Sequence, residues 1–239
     1  MTETIKGSVV LITGATGAIA QALIAGLVAR GAAKIYAAAR DTSALAASAI
    51  LVPIKMDVTS DDDVARAAAV ATDVTLLINN AGINHNTGFM VAPDLAIARQ
   101  EIEANYLAPL RVTRAFAPAL IKNHGAVLNM LTILARVNLP FMGSYCASKA
   151  AGLSLTQGMR GELVPKGVRV TAALPGAVDT RMTAMLTIPK MTTADAAAGI
   201  LDGFEAGEEE IYVGEMARGL AQGLAHDPKA VERQLASPG

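Results

Sequence analysis

Short β-branched or aliphatic runs alternate along this chain with longer Ala-rich segments, and that alternation leaves few folds open. The runs are Ser8–Thr13, Lys34–Ala39, Ile50–Met56, Val74–Asn79, Ala126–Thr132, Val168–Leu174 and Glu210–Val213, and they read as strands. The segments between them, Ala18–Arg30, Asp61–Ala71, Asp94–Lys122, Ser144–Val164 and Thr193–Ala206, have helical length and apolar residues three and four apart. Strands separated by helices need crossover connections, and crossovers make the strands parallel with helices on both faces. The expected architecture is a doubly wound parallel α/β sheet, a Rossmann fold of seven strands. No Pro/Gly/Ser-rich linker and no internal repeat divides residues 1–239, so a single domain is expected to carry every site.

Composition narrows the partners. Hydrophobic residues make up 52% of the chain and charged residues 17%, enough apolar material for a compact core. The net charge is −1 with Lys and Arg scattered, which provides no electrostatic footprint for nucleic acid or an anionic membrane. A small-molecule partner is expected instead. The one cysteine, Cys146, has no internal partner, which suits a reducing, cytoplasmic setting. The opening Met1–Lys6 carries an acid and does not read as a secretory signal. The apolar stretch Ala18–Ala29 is interrupted by Gln21 and followed by Arg30, too short for a membrane span.

The first strand runs into Thr13-Gly14-Ala15-Thr16-Gly17-Ala18-Ile19-Ala20 and then directly into a helix. A turn this tight lets backbone N–H groups and the positive end of the helix approach a pyrophosphate, which a Cβ at the nearest positions would block. Gly14 and Gly17 serve that purpose, and Ala20 is small enough for close helix–strand packing. Selection between dinucleotides falls at the end of the second strand, where Ala39-Arg40-Asp41 stand. An acid there binds the ribose 2′-hydroxyl of NAD, whereas a guanidinium pairs with a 2′-phosphate. Asp41 keeps NAD open, but Arg40 comes first after the strand and Ala39 occupies the place of an NAD-selecting acid. NADP(H) is therefore the expected cofactor.

Tyr145-Cys146-Ala147-Ser148-Lys149 lies in an expected helix, and four-residue spacing puts the phenol and the ammonium on one face. A free phenol titrates near 10, so a neighbouring cation is expected to bring it toward a range useful for proton transfer. Taken alone, such a pair is more often a surface pattern than a catalytic one. Its surroundings change that reading, because motifs along almost the whole chain resemble the short-chain dehydrogenase/reductase family, the type with a Tyr-x-x-x-Lys motif. Thr13-Gly14 resembles the family's glycine turn, Asp57-Val58 its adenine contact, and Asn79-Asn80-Ala81-Gly82 its motif after the fourth strand. Asn105 resembles its helix asparagine, Thr132 stands where it normally has a catalytic serine, and Pro175-Gly176-Ala177-Val178-Asp179-Thr180 resembles the segment that holds the nicotinamide.

The resemblance implies an NADP(H)-dependent interconversion of a ketone or aldehyde and an alcohol by hydride transfer. It assigns catalysis to Tyr145, Lys149, Thr132 and Asn105. Tyr145 would be the acid/base, Lys149 would bind the nicotinamide ribose and stabilise the phenolate, Thr132 would hold the substrate oxygen, and Asn105 would hold a water linking Lys149 to solvent. Cofactor contacts are implied for Gly14, Thr16, Gly17, Ala18, Ile19, Arg40, Asp57, Val58, Asn80, Ala81, Gly82, Tyr145, Lys149, Pro175, Gly176, Val178 and Thr180. No metal site is expected. Relatives pair through their long helices, so a homodimer or homotetramer is expected.

Two departures stand out. Thr132 keeps the hydroxyl of the usual serine but adds a methyl that stiffens χ1 and takes volume beside the substrate. The family spacing puts glycines at Ala18 and Ala20, whereas this chain has its second glycine at Gly17. His85 reads as a solvated loop residue, Cys146 as a packing group, and Glu208–Glu210 as a solvated connection. Val137, Leu139, Phe141 and Met142 either line the substrate pocket or belong to the core, and the Met-rich stretch containing Met182, Met185 and Met191 is where a substrate lid could lie. The absence of Arg or Lys clusters near the expected pocket favours an apolar carbonyl substrate. The competing readings are a catalytically silent NADP-binding regulatory module, and an epimerase or dehydratase relative, which would need a larger C-terminal substrate region.

Overall fold

The computed structural model describes residues 4–236 and contains a parallel sheet of seven strands. These are β1 (Val9–Thr13), β2 (Lys34–Ala39), β3 (Leu51–Lys55), β4 (Leu76–Asn79), β5 (Ala126–Met130), β6 (Arg169–Pro175) and β7 (Glu210–Val213), in the spatial order β3-β2-β1-β4-β5-β6-β7. The helices are α1 (Ala18–Ala29), α2 (Asp61–Val70), α3 (Ala96–Ile102), α4 (Ala108–Lys122), α5 (Gly143–Leu163), α6 (Thr193–Glu205), α7 (Glu215–His226) and α8 (Pro228–Ala236). The doubly wound Rossmann architecture is the one the strand–helix alternation implies. No helix among the described residues is long and apolar enough to cross a membrane.

Strand side chains alternate between two apolar layers, which explains why the strands read as continuous hydrophobic runs. Val10 and Ile12 of β1 face one layer, with Leu23 and Leu27 of α1 and Ile200, Leu201 and Phe204 of α6. Leu11 faces the other, with Val112, Phe116 and Leu120 of α4 and Met159 and Leu163 of α5. The chain leaves β1 toward β2 and β3 on one side, then returns to place β4 on the other. A crevice therefore opens at the carboxyl ends of β1 and β4, where open α/β sheets bind ligands.

Several boundaries differ from the sequence reading. β5 ends at Met130 rather than Thr132, because the Thr132 hydroxyl accepts the Leu134 N–H and caps a 3₁₀ turn over Ile133–Ala135. The expected helix Asp94–Lys122 begins at Ala96 and is broken by a π-turn over Glu103–Leu107. Its cause is legible in covalent chemistry: Pro109 stands four residues after Asn105 and has no N–H to give the Asn105 carbonyl. Helices α7 and α8 were not anticipated. Yet α7 carries Met216, Ala217, Leu220, Ala221 and Leu224 at helical spacing, and it packs Ala217, Leu220 and Ala221 beside Tyr145.

Phe116 is fully buried at the centre of the second layer. Phe116→Ala is expected to cost about 3–5 kcal/mol in chemical denaturation, and a loss below about 1 kcal/mol would mean that this layer is not a packed core.

Candidate active site

The glycine turn is held in place from the opposite strand. Thr13 Oγ1 accepts the main-chain N–H groups of Asn80 and Ala81, both at 3.0 Å, and the Asn80 side chain donates to the Thr13 carbonyl at 3.0 Å. Gly14 has φ +65°, and a Cβ there would lie 2.9 Å from Ala81 Cα. Both conditions demand glycine. Gly17 is the N-cap of α1 with no side-chain cap and no acid in the first turn. The N–H groups of Ala18 and Ile19 are thus left at a positive helix end, the arrangement that holds an anion. The glycine displaced to Gly17 therefore leaves the cradle open, Thr16 and Ala18 are exposed at its rim, and Ala20 is fully buried as expected.

Arg40 is exposed just past the end of β2 and has no ion-pair partner among the described residues. Asp41, its neighbour, is turned aside: its Oδ1 accepts the Ser43 N–H at 2.9 Å, and that bond holds its carboxyl below the usual range. Asp57 Oδ1 likewise accepts from Thr59, and the Val58 carbonyl accepts from Arg111. At the other end of the crevice, Gly176 donates to Val213, Val178 bridges to Met191, and the Thr180 N–H donates to the Thr183 hydroxyl. Pro175 closes β6 and its carbonyl accepts the Thr132 hydroxyl at 3.4 Å.

Tyr145 and Lys149 lie one turn apart near the start of α5, both buried, with Lys149 Nζ 5.9 Å from the centre of the Tyr145 ring. Lys149 Nζ donates to the Met130 carbonyl at 2.9 Å. A Cβ on Gly82 would lie 3.4 Å from that Nζ and 2.8 Å from Asn105 Oδ1, so the loop after β4 passes tightly over both. The Asn105 side chain is wholly committed. It exchanges two 2.9 Å bonds with the main chain of Ile83, and it donates to Ser148 Oγ at 2.9 Å. Ser148 donates onward to the Tyr145 carbonyl. The side chain is therefore engaged with protein rather than with a water, and Pro109 denies the Asn105 carbonyl its α-helical donor.

Burial outweighs the neighbouring cation in setting the phenol. Desolvation pushes Tyr145 well above its ordinary value, against the expectation that Lys149 would bring it down, and Cys146 and Glu101 add smaller contributions in the same direction. Desolvation lowers Lys149 to about 8. Burial also pushes the Cys146 thiol up, in keeping with its reading as a packing group.

Two residues of the site escaped the sequence reading. Glu101, on α3 one turn before Asn105, is 1% exposed and accepts the His85 main-chain N–H at 2.8 Å and the Ser144 hydroxyl. Ser148 ties Asn105 to the catalytic helix. The available signal was four-residue spacing: Glu101 to Asn105 on one helix, and Ser144 to Ser148 on another.

The lowered Lys149 has a consequence for stability. Between about 8 and the ordinary value of 10.5 the unfolded chain binds the proton and the folded one does not, so stability rises with pH through that window. Lys149→Met removes the cost of a buried cation. It is expected to melt at a higher temperature than the parent at pH 7 without cofactor, with the difference shrinking as the pH rises through the window. A lower melting temperature at pH 7 would contradict the burial argument.

The chain matches the short chain dehydrogenase family over residues 8–190. A short chain dehydrogenase from Burkholderia cenocepacia, solved in complex with NADP, superposes with a TM-score of 0.95 at 45% identity, covering 99% of this chain and 100% of that one. A short chain dehydrogenase/reductase from Burkholderia phymatum, solved with NAD, shares the fold at 20% identity and a TM-score of 0.85, covering 99% of each chain. Serine 3-dehydrogenase of Agrobacterium fabrum is 32% identical over 191 residues, which are 74% of this chain and 75% of that protein. The chain spans between 40% and 66% of the length of the first four curated relatives that it matches. Motif, topology and similarity agree: the chain belongs to the short-chain dehydrogenase/reductase family.

Proposed function

We propose that the protein is an NADP(H)-dependent oxidoreductase that interconverts a ketone or aldehyde and an alcohol, with Tyr145 as general acid/base. One observation carries this reading: a buried phenol and a buried ammonium, one helical turn apart, stand behind a glycine turn whose backbone is open to a pyrophosphate. The residues fit a dinucleotide, since Gly17 leaves the first N–H groups of α1 uncapped for a pyrophosphate and Arg40 has a guanidinium free for a 2′-phosphate. Asp41, the residue that could favour NAD, is engaged with Ser43 instead. The NADP complex of the 45%-identical relative supports the same choice.

The cradle residues Gly14, Thr16, Gly17, Ala18 and Ile19 would hold the pyrophosphate. Arg40, Asp57 and Val58 would hold the adenosine half, with Asn80, Ala81 and Gly82 as the floor. Pro175, Gly176, Val178 and Thr180 would flank the nicotinamide. When bound, the cofactor supplies hydride to the carbonyl carbon or accepts it from the alcohol. Tyr145, protonated at neutral pH because it is buried, gives its proton to the carbonyl oxygen in reduction and as phenolate takes the hydroxyl proton in oxidation. Thr132 Oγ1, which accepts the Leu134 N–H and donates by a long bond to the Pro175 carbonyl, turns to donate to the substrate oxygen and fixes its position. Lys149 holds the ribose hydroxyls and stabilises the phenolate.

An apolar substrate suits the rim. Phe89, Met90, Val91, Phe141, Met182 and Met185 are exposed, and three contacts bring their segments together beside α5. A Cβ on Gly143 would strike the Phe89 ring at 2.6 Å, one on Gly88 would lie 2.9 Å from the Pro140 carbonyl, and Asn86 donates to the Met182 carbonyl at 3.3 Å. The silent-module reading gains no observation of its own.

Initial rates with a panel of ketones, aldehydes and alcohols against NADPH and NADH, followed by absorbance, test this reading. NADPH is expected to be preferred by about tenfold or more in kcat/KM, with Arg40→Ala removing most of that preference. A preference for NADH would overturn the Arg40 argument. Thr132→Ser is expected to retain activity, and Thr132→Ala to lose about 10²–10³-fold in kcat. An undiminished Thr132→Ala enzyme would remove Thr132 from the mechanism.

A further inference from the structure

Glu101 is a carboxylate in an expensive place. It is 1% exposed, and no described cation lies within ion-pair distance of it. A buried charge without a counter-ion is costly, and two well-placed donors offset only part of the cost. The two donors come from different elements. The His85 N–H belongs to the loop after β4, and the Ser144 hydroxyl belongs to the first turn of α5, immediately before Tyr145. Each carboxylate oxygen meets one donor.

We propose that Glu101 is a positioning residue for the reaction: it anchors the first turn of α5 to the loop after β4, and it sets a buried negative charge beside Tyr145 that opposes Lys149. The inference rests on the acid/base reading of Tyr145. Burial does most to favour the phenol, and Glu101 adds to it in the same direction, so removing its charge lowers the pH at which alcohol oxidation begins. Cys146 is a neutral, buried thiol, and Tyr212 of β7 has its hydroxyl bonded to Arg136 and Glu210. The remaining neighbours, including Ile133, Leu134, Met142 and Ala217, are apolar. Glu101 acts on Tyr145 through its field and through Ser144, not by touching substrate.

The test is the pH profile of kcat/KM for alcohol oxidation with NADP⁺ in the whole protein, with Tyr145→Phe as the control. Glu101→Gln keeps the shape and the acceptor for His85 but removes the charge, and it is expected to move the rising limb, which reports phenolate formation, to lower pH by about 0.5–1. Glu101→Met, charge-free but unable to accept, is expected to move the limb the same way, so that one poorly folded variant does not end the test. Glu101→Asp keeps the charge, and Ser144→Ala keeps it while cutting the anchor. Both are expected to lower the rate while leaving the limb in place. A uniform loss of rate in Glu101→Gln with the limb unmoved would reduce Glu101 to a structural brace and overturn the proposal. Failure of the underlying reading looks different: the parent enzyme would then show no oxidation that depends on Tyr145.

Discussion

The Asn105 side-chain amide is the point on which the rest of the site depends. Three 2.9 Å bonds leave it, two to the main chain of Ile83 and one to Ser148, so a single buried group holds the loop after β4 against the catalytic helix. Thr13 makes the matching connection at the other side of the crevice by accepting from Asn80 and Ala81. The loop Asn80–Ile83 is therefore fastened at both ends, once to the glycine turn and once to the turn that carries Lys149. Such a loop has no freedom to drift, and Gly82 is glycine because the fastening leaves no room for a Cβ. Buried polar networks stabilise in this way only when their members are satisfied. Beneath the site, Asn79 Nδ2 donates to Thr113 and Asn129, and Asn129 donates to Thr156, linking the strands to α4 and α5, while Asn79 Oδ1 is buried without a partner.

This architecture places costly groups together. Lys149 is buried with one carbonyl for a partner, Tyr145 is buried with its phenol protonated, and Glu101 is buried without a cation. Each of them is less stable there than it would be at the surface. The two apolar layers that sandwich the sheet offset these costs, and the division of labour follows the fold: strand interiors and helix faces supply stability, while the carboxyl ends of β1, β4, β5 and β6 supply chemistry. The π-turn at Asn105 belongs to the second category. It gives up a regular hydrogen bond because Pro109 has no N–H, and it turns the Asn105 carbonyl toward Gly152 of α5.

Much of this was legible in the amino-acid order, for identifiable reasons. Strands buried on both faces read as unbroken aliphatic runs, and the i, i+4 spacing of Tyr145 and Lys149 survives any uncertainty about where the helix begins. Gly14 was legible because its neighbours announce a turn. What escaped depends on three-dimensional closure. Glu101 is four residues from Asn105, yet nothing local says that its carboxylate meets Ser144 from another helix. The end of β5 was read too late because the Thr132 hydroxyl, not the strand pattern, decides where the chain turns. The phenol was expected to be lowered by its lysine, and only the depth of burial shows that desolvation wins. Helices α7 and α8 were legible too: Met216, Ala217, Leu220, Ala221 and Leu224 recur at helical spacing after β7, a period the sequence reading passed over.

The central claim is that Tyr145 transfers the proton while its neighbours hold cofactor and substrate, and Tyr145→Phe separates those roles most directly. NADPH binding, followed by fluorescence titration, and carbonyl reduction should be measured on the same preparation. The account predicts binding within about twofold of the parent and reduction slower by about 10²–10⁴-fold. Undiminished reduction by the phenylalanine variant would contradict it.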